Sequence, residues 1–253
     1  QILMEILEID NLLNILKNIL KNTVRKLHTN SELLKNVDCN LPRDVKVNAD
    51  YYLDGIISTE LEKKTTYPVI SEEKLESHNI VDGYQWILDP LDGSMNYARN
   101  IPFCGISVAL WKGLEPFLGV IYDFNKDELF AGTVGSKCEL NGVRINPSKV
   151  SEKSMAIFAT GFPSSTNFNQ EVLIEYVRNI QNFKKIRLFG SAALSLAYVA
   201  CGRVDYYLEK NIKIWDVAAG LALIKSAGGI VKFSSPKKDM SLCVEASNPF
   251  LLK

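Results

Sequence analysis

Several acidic residues of this 253-residue chain stand at the ends of apolar segments, where a carboxylate without a partner is costly. In Trp86-Ile87-Leu88-Asp89-Pro90-Leu91-Asp92-Gly93-Ser94 an apolar strand candidate runs into Asp89, and Asp92 follows in a tight turn. Pro90 fixes φ and removes one backbone donor, so the two carboxylates can converge on one point. Gly93 permits a close backbone approach. Ser94 opens a short helical turn, and the N–H groups of Gly93 and Ser94 could there face a phosphate. Ser71-Glu72-Glu73 ends a second apolar strand candidate, and Asp216 stands just ahead of an apolar helix. Carboxylates joined by a backbone carbonyl form a hard oxygen site, which suits magnesium and not zinc or copper.

Read one at a time, these features are ordinary. Asp92-Gly93 is a turn pair, Asp89 an N-cap, and Asp216 another N-cap. Three acidic strand or helix ends in one chain point to a metal cluster.

Positioning them falls to blocks of helix and sheet. Ile2, Ile6, Ile9, Leu13, Leu16 and Leu20 recur near helical spacing, which predicts one or two helices from residue 2 to about 36. A second helix is expected over Asn48–Leu61, then short strands over Tyr67–Ile70 and Tyr84–Leu88. Alternation from Gly105 to Ala131 predicts an antiparallel sheet, and Asn141-Gly142 predicts a hairpin turn. The second half mixes periods. Strands are expected at Met155–Thr160, Lys185–Phe189, Tyr206–Leu208, Ile230–Phe233 and Leu242–Ala246, and helices at Gln170–Ile180, Ala192–Cys201 and Val217–Ala227. Layers of helix and mixed or antiparallel sheet, α+β in class, are the natural packing solution. The chain reads as one domain over 1–253, with a subdomain split near 145–155, at Asn146-Pro147-Ser148. Trp86, Trp111 and Trp215 read as core, and His28 and His78 as surface.

Composition narrows the function classes. Lys plus Arg and Asp plus Glu both total 29, so the chain offers no general attraction to nucleic acid or an anionic membrane, and neither is expected as a partner. Five cysteines without a CxxC pair argue against a structural zinc site and for reduced thiols in the cytoplasm. Glu5, Glu8, Asp10, Lys17 and Lys21 interrupt the apolar N-terminal stretch, which reads as an amphipathic helix and not a membrane span.

The run Asp89-Pro90-Leu91-Asp92-Gly93-Ser94-Met95-Asn96-Tyr97 resembles the central signature of the inositol monophosphatase family. Trp215-Asp216-Val217-Ala218-Ala219-Gly220, followed by Ala227-Gly228-Gly229, resembles its C-terminal signature. Weaker likenesses lie at Asp44–Asp50, Ile70–Glu73, Thr160-Gly161-Phe162-Pro163 and Gly190-Ser191-Ala192-Ala193-Leu194, in the expected order. The resemblance implies a layered αβαβα sandwich of the inositol monophosphatase and fructose-1,6-bisphosphatase type. It also implies two to three magnesium ions, a homodimer and inhibition by lithium.

Carried over residue by residue, the resemblance gives Glu72, Asp89 and the Leu91 carbonyl the tighter magnesium. Asp92 and Asp216 join Asp89 around a second ion, and Glu73 takes a third through water. Ser94 stands where the family has a threonine that, with Glu72, activates the attacking water, and Asp50 supports that hydroxyl. Backbone donors of Gly93 and Ser94 bind phosphate, while Asp92, Ala192 and Glu209 contact substrate hydroxyls. Three positions depart from the pattern. Ser94 replaces threonine, Val47 stands where a threonine is common, and a lysine of the metal-binding loop has no counterpart near Cys39. The last departure concerns the loosest metal.

The implied reaction is in-line attack of water on a phosphate monoester, with two metals about 4 Å apart stabilising the attacking and leaving oxygens. Asn96 and Glu209 point towards inositol monophosphate or another small polyol or sugar phosphate. Fructose 1,6-bisphosphate, histidinol phosphate and 3′-phosphoadenosine 5′-phosphate are alternatives, as is a regulatory, partner-binding protein on the same fold.

Overall fold

Leu12, Leu16, Ile19, Leu20, Val24 and Leu27 recur every three or four residues along α1 (Ile2–Thr29), and that stripe is buried. Beside it lies α2 (Asn48–Lys64), which buries Ala49, Leu53, Ile57 and Leu61. Both helices rest on one face of a seven-stranded sheet in the computed structural model, which describes residues 2–29, 34–41, 44–74, 79–163 and 166–252. Expectations for His78 and for the side chains of Ile2, Ile6 and Cys39 fall outside the described residues.

That sheet keeps chain order, parallel between its first two strands and antiparallel from there on. It comprises β3 (Val69–Ser71), β4 (Tyr84–Asp92), β5 (Gly105–Lys112), β6 (Glu115–Asp123), β7 (Glu128–Thr133), β8 (Cys138–Leu140) and β9 (Val143–Arg144). A separate hairpin, β1 (Val37–Leu41) with β2 (Asp44–Val47), precedes α2. Period-two alternation divides the large sheet cleanly. Trp86, Leu88, Ile106, Val108, Leu110, Leu118 and Val120 face α1 and α2. Ile87, Ala109, Trp111, Ile121 and Phe130 face the opposite way, onto a helical layer.

That inner layer holds α5 (Ala192–Ala200) and α6 (Ile214–Ala227), buried between the two sheets. Small residues let it sit close. A Cβ on Gly220 would lie 2.4 Å from the Leu196 Cβ, and one on Gly119 would lie 2.5 Å from the Ala219 carbonyl oxygen. The second sheet runs β11 (Lys185–Arg187), β10 (Ile157–Ala159), β12 (Tyr206–Lys213), β14 (Ser241–Ser247), β13 (Ile230–Phe233). On its outer face Phe158 and Tyr206 pack with Ile180 and Phe183, at and just beyond the end of α4 (Gln170–Ile180). The expected αβαβα layering is therefore present, with α3 (Ser94–Ala98) as a short sixth helix among the described residues.

Helix α1 runs to Thr29, Leu34 is again helical, and strand β1 begins at Val37, in keeping with one or two helices up to about residue 36. Three expectations are corrected. Strand β4 runs through the acidic motif to Asp92, and β12 extends to Lys213. Helix α6 begins at Ile214, so Asp216 lies inside its first turn and does not cap it. The apolar pair Ile214-Trp215 is buried in the same core as the rest of α6, and this draws it into the helix. Trp86, Trp111 and Trp215 are buried and His28 is exposed, as read from the sequence. No helix among the described residues is long and apolar enough to cross a membrane.

Candidate metal centre and active site

Asp89 and Asp92 are three residues apart, and in a regular strand an odd spacing would send them to opposite faces. Strand β4 breaks that rule. Asp89 pairs with Ser107 while Asp92 pairs with Gly105, so three steps on β4 span two on β5, the signature of a β-bulge. Pro90 falls inside the bulge, where its missing N–H costs no ladder bond. The Leu91 N–H donates to Asp89 Oδ1 at 3.0 Å and ties the turn together.

Glu72 follows β3 directly, and its N–H donates to the Leu88 carbonyl. Asp216 enters from the first turn of α6, where the helix dipole favours negative charge. Carboxylate oxygens of Glu72, Asp89 and Asp216 all lie within 4.8 Å of one another. Burial, followed by the charge of Glu72, holds the Asp89 and Asp216 pKa values well above the usual carboxylate range. Three mutually repelling carboxylates with only oxygen donors form a set that a hard divalent cation would satisfy. The residues fit magnesium.

Asp92 sits beside this group but is fastened differently. Its Oδ2 accepts from the Ser191 hydroxyl at 2.5 Å and the Ala193 N–H at 2.7 Å, both at the start of α5. Burial raises its pKa to about 7 against those hydrogen bonds. Glu73 likewise reaches about 7 through burial, opposed by Lys46.

Ser94 Oγ lies 2.6 Å from Asp50 Oδ1, to which it donates, and 2.9 Å from the Leu91 carbonyl. Asp50 is fully buried, and its second oxygen accepts the Val47 N–H at 2.6 Å. Burial lifts its pKa to about 6, and the bonds from Ser94 and Val47 oppose the rise. Gly93, between the acids and Ser94, has φ +89°. A Cβ there would lie 3.1–3.2 Å from Phe103, Cys104 and Gly190, so both conformation and space require glycine.

Glu209 forms the far wall. Its carboxylate accepts from the Tyr207 hydroxyl at 2.7 Å, and burial raises its pKa to about 7. Gly161 packs so tightly on it that a Cβ would come within 2.8 Å of Oε2. Asp92, Ala192, Ser191, Glu209 and Asp216 line one cavity of about 190 Å³. The structure thus brings Glu72, Asp89 and Asp216 together and lines one cavity with Asp92, Ala192, Glu209 and Asp216, with Glu73 joined to Glu72 through Lys46 and Asp50 bonded to Ser94.

Two contributors, Ser191 and Lys46, escaped sequence reading, and Asn96 has a structural role the sequence did not give it. Ser191 anchors Asp92 from 99 residues away. Asn96 donates to the Phe103 and Phe189 carbonyls at 2.8 Å each, clamping the acidic turn to the approach to α5. Lys46 on β2 reaches Glu72 Oε1 and Glu73 Oε1 at 2.5 Å each. Burial pulls the Lys46 pKa down, but the charges and hydrogen bonds of the two glutamates outweigh it and hold the ammonium charged. Lys46 pairs with Cys39 across the β1–β2 ladder, so the cation missing near Cys39 is delivered from the neighbouring strand. The sequence signal was a lysine set between two valines, Val45 and Val47.

A model of the family described as "Inositol monophosphatase family" matches residues 8–249. The Nus factor SuhB of Escherichia coli (strain K12) is 35% identical over 216 residues, 83% of this chain and 80% of that protein. The inositol-1-monophosphatase of Rhizobium meliloti is 38% identical over 190 residues, 74% of this chain and 71% of that protein. Among solved structures, the extragenic suppressor protein suhB of Bartonella henselae superimposes with a TM-score of 0.82 at 32% identity, covering 94% of each chain. The inositol monophosphatase of Anabaena gives 0.81 at 32% identity, covering 95% of this chain and 92% of that one.

Proposed function

The chain belongs to the inositol monophosphatase family and is a magnesium-dependent phosphomonoesterase; from that premise we propose that it hydrolyses inositol monophosphate or a closely related polyol or sugar phosphate. The observation that carries this reading is the convergence of Glu72, Asp89 and Asp216 on one point beside the Glu209 cavity.

In the proposed reaction, Glu72, Glu73, Asp89, the Leu91 carbonyl, Asp92 and Asp216 would hold two to three magnesium ions. When bound, they supply positive charge that eases deprotonation of water and departure of the ester oxygen. Ser94 donates its hydroxyl proton to Asp50 and so presents a lone pair that orients the attacking water. Glu72, on the other side, accepts the proton that the water releases. Backbone donors at Gly93 and Ser94 hold the phosphate. Asp92, fixed by Ser191 and Ala193, keeps one oxygen for a substrate hydroxyl or a metal. Glu209 accepts a second hydroxyl, and Ala192 contributes contact at the start of α5. A polyol fits such a wall because its hydroxyls can satisfy acceptors buried there.

Phosphate release tests the reading, measured with magnesium and with EDTA. The substrates are inositol 1-phosphate, fructose 1,6-bisphosphate, histidinol phosphate and 3′-phosphoadenosine 5′-phosphate, with Asp89→Asn alongside. Inositol 1-phosphate is expected to be preferred, with activity lost in EDTA and in the variant. Preference for another of the four would replace the substrate assignment, and no release from any would overturn the whole reading. A homodimer, lithium sensitivity and a cytoplasmic setting belong to the same proposal, the first two checked by sizing and a lithium titration. Relatives named Nus factors raise partner binding as a second role. The complete set of carboxylates supports hydrolysis beside it, not in its place.

A further inference from the structure

Glu72 and Glu73 are adjacent, yet their carboxylates are not left to repel each other. The Lys46 ammonium lies between them, 2.5 Å from one oxygen of each. Two of its three donors are thereby used, and the Lys46 side chain is only 19% exposed. The Glu73 side chain is 5% exposed, so little water reaches the pair. Strand β2 holds the lysine in place: its backbone is laddered to β1, and Val47 at its end is buried and tied to Asp50. A charge carried on such a strand is aimed, unlike one on a free surface lysine.

Glu72 belongs to the carboxylate group that fits a divalent cation, and Glu73 is joined to it through Lys46. One pair of carboxylates cannot give its full charge to an ammonium and to a divalent ion together. The two cations repel, and a hard metal ion would draw on the same carboxylates that the ammonium engages. We propose that Lys46 is a tethered competitor for magnesium at the Glu72–Glu73 end of the site, setting the metal affinity there and keeping the two glutamates together until an ion displaces it. This rests on the metal-site reading above and bears most on the weaker-binding end at Glu73, with a smaller effect on the ion that Glu72 shares with Asp89.

Calorimetric titration of magnesium into EDTA-treated and dialysed protein tests it, with thermal unfolding as a second readout. Lys46→Met removes the charge at similar length and is expected to tighten the weaker magnesium step by ~10-fold, the equivalent of about 1.4 kcal/mol. In EDTA the same variant is expected to melt lower than the unaltered protein, because Glu72 and Glu73 lose their counter-charge. Added magnesium should close that gap. Lys46→Arg keeps the charge and should keep the weaker affinity. Lys46→Gln, uncharged but still a donor, should behave as Lys46→Met and replaces it if that variant does not fold. Unchanged or weaker magnesium binding in the uncharged variants overturns the proposal, as does equal tightening by Arg and Met. Absence of binding in every protein, including one with Lys46 intact, overturns the metal site itself.

Discussion

Replacing Glu209 by Gln exchanges a buried carboxyl for an amide of nearly the same shape, and the Tyr207 hydroxyl keeps an oxygen to donate to. What disappears is the titration. Burial raises the Glu209 pKa from 4.5 to about 7, Tyr207 opposes the rise, and the Asp92 charge adds to it. Because the folded pKa is the higher, the native state holds this proton more tightly than the unfolded chain does. The resulting stabilisation is complete below pH 4.5 and is lost as pH rises through about 7. The interval from 4.5 to about 7, at about 1.4 kcal/mol per pH unit, amounts to about 3 kcal/mol.

For a chain of this length each kcal/mol moves Tm by about 2–4 °C, so the effect is roughly 6–12 °C. Thermal unfolding in EDTA from pH 5 to pH 8 measures it. The unaltered protein should lose stability with rising pH. Glu209→Gln should lose less, so that the two curves start close at pH 5 and separate, with the variant the more stable at pH 8. A slope remains in the variant because Asp50, raised to about 6, Glu73 and Asp92, raised to about 7, and Asp89 and Asp216, raised well above the usual range, all act with the same sign. Parallel curves would refute the reasoning, since they would mean that folding does not hold the Glu209 proton. The same variant should raise KM for a polyol phosphate at pH 8 more than it lowers kcat.

Ser94→Ala removes the hydroxyl held by Asp50 and should lower kcat by about 10²–10⁴-fold while magnesium still binds; Ser94→Thr should restore most of it. Calorimetry on the Ala variant separates loss of chemistry from loss of metal. Gly220→Ala places a Cβ 2.4 Å from the Leu196 Cβ between the sheets and should cost about 1–3 kcal/mol by overpacking. Gly83→Ala, where a Cβ meets nothing within 4 Å, is its neutral control in the same melting experiment.

Periodicity made the layers legible because one face of each element is buried. The α1 stripe, the β5–β7 alternation and the Asn141-Gly142 turn, where both residues have positive φ, announce themselves locally. The acids were legible for a related reason: a carboxylate ending an apolar run needs a partner, and several of them suggest a shared one. Boundaries failed where tertiary packing decided. Lys213 precedes α6 without a side-chain cap, so nothing local moves the helix start ahead of Asp216; burial of Ile214 and Trp215 does. Contacts across 26, 27 and 99 residues, those of Lys46 with the two glutamates and Ser191 with Asp92, leave no trace in spacing.

The two ends of the acidic group differ in a way that follows from where its one close ammonium sits. Lys46 contacts Glu72 and Glu73 directly, whereas its pull on Asp89 and Asp216 is outweighed by burial and by the neighbouring carboxylates. Asp89 is buried, Asp216 is half-buried, and each faces several other acids, so the Asp89–Asp216 end has the larger unmet demand for positive charge. A divalent ion entering there relieves repulsion and competes with Lys46 only through Glu72. One entering beside Glu73 must first break two short ion pairs, so its net gain is smaller for the same ligand chemistry. The order of filling, deep end first and Glu73 end last, then follows from charge compensation without any difference in ligand type. For that reason the Lys46→Met titration should tighten the weaker magnesium step most, with a smaller gain at the tighter step through Glu72.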